Sequence, residues 1–257
     1  MTLLVAPPGA PLASAAFEAP CYSRLENEWL CSDYFRDRGS ELVDATVQHV
    51  QITVVSVVIA VLVAFPVALA ARRWRRLETP LLAVATGVYT IPSLALLPLL
   101  VPFTGLSKTT VVIGLALYAL TVLVRAMLDG LRAVPDEVRE SARGLGFGAG
   151  RLLFRVELPL ALPVIMAGVR VATVSTVALT TIGSLVAYGG LGNLIRDGVV
   201  NNFRAELLAA AGLCVLLAIV LDVLLVAGQY ALTPWTHRRR RRPNPSAQAA
   251  RREAVAS

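Results

Sequence analysis

Glu140-Ser141-Ala142-Arg143-Gly144-Leu145-Gly146, followed after nine residues by Val156-Glu157-Leu158-Pro159, is a polar, arginine-rich stretch set between long apolar runs. Its spacing reads E-x-A-x3-G-x9-[IV]-x-L-P. Just upstream, Pro135-Asp136-Glu137 is a helix start, with proline early and acids in the first turn. Val138, Ala142 and Leu145 follow at helical spacing, and Gly144, Gly146, Gly148 and Gly150 permit a sharp turn. Residues 151–156 read as a second short helix, ended by Pro159. The expectation is a helix, a glycine turn and a helix lying at a membrane surface. A short helix of this kind can fill a groove on another protein. The plainer alternative is an amphipathic loop that only touches headgroups.

The flanking runs set the solvent. The chain has 257 residues, 56% of them hydrophobic and 16% charged, against about 25% charged in soluble domains. Mean hydropathy is +0.67. Five segments reach the ~20 apolar residues needed to cross a bilayer: 47–71, 81–103, 109–128, 160–188 and 207–231. The fourth is long, and a break near Gly183 raises the count to six.

Basic residues near span ends report orientation. Arg72, Arg73, Arg75 and Arg76 follow the first span, and Arg132, Arg139, Arg143, Arg151 and Arg155 lie in the loop after the third. Residues 237–242, a histidine and five arginines, follow the fifth. The opposite loops hold only Lys108, Arg196 and Arg204. Five alternating crossings place all three clusters on one side, the cytoplasm, with the N-terminus outside and the C-terminus inside. The fold expected is therefore all-α and integral to the plasma membrane. An extracytoplasmic acidic segment occupies residues 1–45, a transmembrane domain 46–230 with its cytoplasmic loop at 129–159, and a basic, disordered tail 231–257. That tail suits anionic lipid headgroups.

Composition excludes several classes. The net charge of +7 comes from 23 Arg and one Lys set between and after apolar runs, so it reads as topology rather than nucleic-acid binding. Three cysteines with no C-x-x-C pair, and two distant histidines, offer no metal site. The glycine series Gly144 to Gly150 matches neither G-x-G-x-x-G nor G-x4-G-K-[ST], so no phosphate cradle and no cofactor is expected. No acid, base and nucleophile converge as an enzyme requires. Residues 1–17 lack the basic n-region of a secretory signal and read as a disordered leader. Cys21 and Cys31 face an oxidising space, where they can pair; two free thiols are the alternative.

The spacing of Glu140, Ala142, Gly146, Val156, Leu158 and Pro159 resembles the cytoplasmic EAA loop of binding-protein-dependent ABC importer permeases, with Ser141 at the first alanine position. Thr90-Ile91-Pro92-Ser93-Leu94-Ala95-Leu96-Leu97, Thr181-Ile182-Gly183-Ser184-Leu185-Val186 and Gly189-Gly190-Leu191-Gly192 resemble the branch that carries glycine betaine, choline and carnitine. The resemblance implies a type I permease subunit moved by a separate ATP-binding cassette subunit. It further implies a second permease, identical or paralogous, and an extracytoplasmic solute-binding protein. Its alternatives are the same architecture for methionine or another small solute and, in a different class, a membrane enzyme or a free-standing channel.

Charges inside spans are functional suspects by default. Arg170 and Asp222 are the two singled out, able to pair with each other. A structural role is favoured over substrate contact. The spans show no clustered aromatic cage, so the substrate follows from the resemblance alone.

Overall fold

The computed structural model describes residues 20–23 and 26–236, and every regular element among them is helical. The leader at 1–17, the basic residues 237–242 and the rest of the tail lie outside the described residues.

Four helices are long and apolar enough to cross a bilayer among the described residues. These are α2 (Gly39–Arg73), α5 (Lys108–Arg132), α8 (Leu158–Thr180) with the turns on either side of it, and α10 (Arg204–Leu232). The predicted second span is instead two helices, α3 (Arg75–Thr90) and α4 (Ser93–Thr104), bent by 98° at their junction. Pro92 drives its predecessor Ile91 out of the helical region, to φ −68° and ψ 123°. Pro92 is itself extended at ψ 132°. The carbonyl of Ile91, freed by the break, accepts a hydrogen bond from the Tyr118 hydroxyl. Hydropathy registers how apolar a segment is but not its direction, so the bend was invisible to it.

α5 is the central helix. A stripe of small residues on α2, Ala60, Ala64, Ala68 and Ala71, shares one buried core with Leu123 and Met127 of α5 and Ala161 and Ala172 of α8. Small residues let helices approach closely where lipid offers no hydrophobic drive. Nearer the start of α2, three hydrogen bonds cross between helices. His49 Nε2 meets the Val177 carbonyl at 3.0 Å, Thr53 and Thr180 hydroxyls meet at 3.1 Å, and Ser56 donates to the Val112 carbonyl at 3.3 Å.

The helix α8 tightens to a 3-10 turn over Thr181–Val186, around the Gly183 where a break was expected. The chain then reverses through Ala187 (φ 65°) and Gly190 (φ 56°). It enters a helix too short to register as a crossing, α9 (Leu191–Val200), which buries Leu191 and Leu194. The Gly189-Gly190-Leu191-Gly192 run is a packing knot. A Cβ on Gly190 would lie 2.7 Å from the backbone nitrogen of His49, and one on Gly192 would overlap the backbone of Thr181.

Residues 20–23 and 26–38 cap the corner between α9 and α10. Cys21 and Cys31 are joined as a disulfide, and α1 (Ser32–Asp37) sets Tyr34 edge-on to Phe203 at 5.4 Å. Asn27 clasps the corner, donating to the Asn202 carbonyl at 2.8 Å and accepting from the Arg204 amide at 3.0 Å. Glu206, in the first turn of α10, is buried beneath this cap.

Candidate functional site

At the end of the bundle remote from the disulfide cap, α5 gives way to α6 (Asp136–Gly144). Pro135 stands at the N-cap position in an extended conformation, and Asp136 and Glu137 fill the first turn. The end is a Schellman motif: Gly146 has φ +82°, its amide donates to the Arg143 carbonyl at 2.9 Å, and the Phe147 amide donates to the Ala142 carbonyl at 3.1 Å. The glycine is needed because a side chain disfavours this left-handed backbone.

The helix then resumes as α7 (Ala149–Leu152), widens to a π turn over Leu153–Glu157, and continues directly into α8. This corrects the expectation that Pro159 ends a second short helix. Proline lacks the N–H that would reach the carbonyl four residues back and its ring crowds that carbonyl. The widened turn ahead of it, marked by the Leu158 amide donating to the Leu153 carbonyl, lets the helix run on.

The residues singled out from the sequence divide into two sets. Glu140, Ser141 and Gly146 face outward with Arg143 and Leu145, and Leu145 is 79% exposed. Ala142 is buried, and Val156, Leu158 and Pro159 are half-buried on the inner side, where Leu158 packs against the main core. The expected stripe of Val138, Ala142 and Leu145 is therefore split, since Leu145 has already passed the helix end and points away.

What joins α6 to the spans is a residue at a position the spacing pattern leaves unspecified. Glu157, at 0% exposure, pairs with Arg72 from the end of α2 and with Arg139 of α6, whose Nε lies 3.1 Å from Glu157 Oε1. Arg139 also donates to the Leu131 carbonyl at 2.6 Å and pairs with Asp136 at 2.5 Å. One guanidinium thus ties α6 to the end of α5 and the start of α8. A buried carboxylate beside two arginines is compensated for lost water by the hydrogen bonds of its partners. Beside the cluster, Glu78, Arg132, Glu140 and Arg143 line an open cavity of about 450 Å³.

The other charges lie farther into the spans. Arg170 and Asp222 form a two-pronged ion pair between α8 and α10, with contacts of 2.8 and 2.9 Å. Arg125 of α5, also passed over in the sequence, donates to the Thr86 hydroxyl of α3 at 3.2 Å. The signal for it was present: a lone arginine near the end of an apolar run is a functional suspect.

The family described as "Binding-protein-dependent transport system inner membrane component" matches residues 53–238. The osmoprotectant import permease protein OsmW of Salmonella typhimurium (strain LT2) is 36% identical over 206 residues, 78% of this chain and 96% of OsmW. The choline transport system permease protein OpuBB of Bacillus subtilis (strain 168) is 33% identical over 202 residues, 78% of this chain and 93% of OpuBB. The carnitine transport permease protein OpuCB of Listeria monocytogenes is 34% identical over 202 residues, 78% of this chain and 92% of OpuCB. Among solved structures, a chain of the MetNI methionine ABC transporter in an inward-facing conformation matches with a TM-score of 0.69 at 20% identity, covering 77% of this chain and 98% of that one. That likeness bears on the fold.

Proposed function

The chain belongs to the family of binding-protein-dependent transport system inner membrane components, and from that premise we propose that it imports quaternary amine osmoprotectants. It is a permease subunit of an ABC importer, a multi-pass protein of the cytoplasmic membrane, and not an enzyme; ATP hydrolysis belongs to a separate subunit. The substrate class is glycine betaine, choline, carnitine or a similar compound. Three relatives at 33 to 36% identity, named for choline, carnitine and osmoprotectants, support it. Methionine is the weaker reading, because its support is a likeness of fold at 20% identity.

The chain crosses the membrane five times, α3 and α4 together counting as one, with its N-terminus outside. The grouping of Arg72, Arg139 and Glu157 at one end and the disulfide cap at the other supports that orientation. The outward ridge of α6, with Glu140, Ser141 and Gly146, docks in a groove of the ATP-binding subunit. The inner residues Ala142, Val156, Leu158 and Pro159 hold that ridge to the spans. A second permease subunit and an extracytoplasmic solute-binding protein complete the importer.

The observation that carries this reading is a short, capped, outward-facing helix whose only charged tether to the spans among the described residues is the Glu157 cluster. The test is ATP-dependent uptake by proteoliposomes holding this permease with the ATP-binding and solute-binding proteins from neighbouring reading frames. Uptake of radiolabelled glycine betaine, choline or carnitine is expected. Uptake of methionine without any quaternary amine would overturn the substrate class.

A further inference from the structure

We propose that the pocket between α3 and α5 is where the permease touches the carboxylate of a zwitterionic quaternary amine in transit; this rests on the substrate class proposed above. The pocket is lined by Ala85, Thr86, Tyr89, Thr121, Val122 and Arg125 and encloses about 320 Å³, at the small end of ligand sites, which run about 300–1,000 Å³.

Arg125 is its centre. It lies seven residues before the end of α5 at Arg132, roughly 10 Å further into the span at 1.5 Å per residue. Among the described residues no carboxylate pairs with it; its one hydrogen bond is to the neutral Thr86 hydroxyl. The other intramembrane arginine, Arg170, has Asp222 as its partner. An uncompensated guanidinium inside a span marks a water-filled path or an anionic ligand. Its fork of donors matches a carboxylate, and the Thr86 and Thr121 hydroxyls stand beside it.

Across the pocket, Tyr89 is 61% exposed and meets Tyr118 edge-on at 5.9 Å. Tyr118 is itself anchored to the Ile91 carbonyl at the helix break. Tyr89 thus offers an exposed aromatic ring steadied by Tyr118, and a ring face is the surface a quaternary ammonium prefers. Irregular backbone within a span is tolerated where it lines a cavity, and the Ile91–Pro92 break lies two residues from Tyr89.

The pocket also opens on the right side of the subunit. Leu123 is fully buried in the core it shares with the alanine stripe of α2. Arg125, two positions on, points about 200° away around the helix. On α8, Ala172 belongs to the same core and Arg170 stands about 200° from it by the same spacing. The side turned from that core therefore carries the intramembrane charges of both helices, as a wall facing water and a second subunit does.

The test uses the complete importer in proteoliposomes with saturating loaded solute-binding protein, so that passage through the permease is the rate read. Wild type is expected to carry both glycine betaine and choline. Arg125→Gln is expected to lower glycine betaine uptake at least tenfold while choline, which has no carboxylate, stays within twofold. Arg125→Lys is expected to restore part of the loss. Tyr89→Leu is expected to slow both substrates severalfold, and it stands as the second variant should Arg125→Gln fail to assemble. Equal losses of both substrates in Arg125→Gln, or no loss of either, would overturn the site. So would Tyr89→Leu leaving both rates unchanged. A wild type that carries choline alone would overturn the carboxylate role and leave the importer reading standing. A wild type that carries no quaternary amine would overturn that reading itself.

Discussion

Glu157→Ala is expected to abolish coupled uptake and to destabilise the subunit by about 3 kcal/mol, toward the low end for removing one partner of a buried charge cluster. The value sits low because Arg72 keeps 31% of its side chain exposed and can turn to water. Arg139 is less able to do so at 18% exposure, and it also holds the Leu131 carbonyl and Asp136. With the carboxylate gone, two guanidinium groups face each other across an empty site, and α6 loses its tie to α8. Thermal unfolding of the purified protein should shift down by several degrees. The shorter Glu157→Asp keeps the charge and should recover part of both stability and uptake. An alanine variant that unfolds at the wild-type temperature and transports normally would remove the cluster from the account.

Gly146→Val is expected to leave the spans folded but to separate ATP hydrolysis from uptake. Nothing lies within 4 Å of the position a Cβ would take, so crowding is not the cause. The cost is the backbone: φ of +82° disfavours an ordinary residue by roughly 1–2 kcal/mol. A β-branched side chain stands at the unfavourable end. The chain can relieve that strain by giving up the two Schellman hydrogen bonds, which would swing Leu145 and Phe147 away from the helix end. Gly146→Asn, a residue that tolerates the left-handed region, should retain more coupling than Gly146→Val. The ratio of solute moved to ATP hydrolysed is the measurement. An unchanged ratio in the valine variant would dismiss the docking turn.

The cap at Gly146 was legible in the sequence because helix stops have a local chemistry: a glycine just past a polar helix is read without knowing what surrounds it. The apolar runs were legible for the same reason, since span length depends on bilayer thickness alone. That Pro92 interrupts its span was legible; that it bends the chain by 98° while Pro66, Pro98, Pro102 and Pro163 stay inside helices was not, because a proline in an apolar run kinks, turns or passes depending on which neighbour accepts the freed carbonyl, here Tyr118. Pro159 shows the opposite outcome, absorbed by a widened turn. Glu157 was hidden at an unassigned position of the spacing pattern. Its importance comes from Arg72 and Arg139, 85 and 18 residues away. Arg125 was hidden by averaging, one charge among apolar neighbours. The helix α9 was missed because its ten residues are too few and too mixed to register as a crossing.

The two halves of α2 are fastened unequally. Near the disulfide cap, His49, Thr53 and Ser56 bolt it to its neighbours by directional bonds. Between Ser56 and Arg72 it offers a run of small side chains, a bearing surface with no teeth to disengage, before the Arg72–Glu157 pair clasps its last turn. A push delivered through α6 thus enters α2 at that clasp and meets its next directional bonds only at the far end. Neighbouring helices can then swing like the blades of a pair of shears about a rivet, parting on one side of the membrane while the other stays shut.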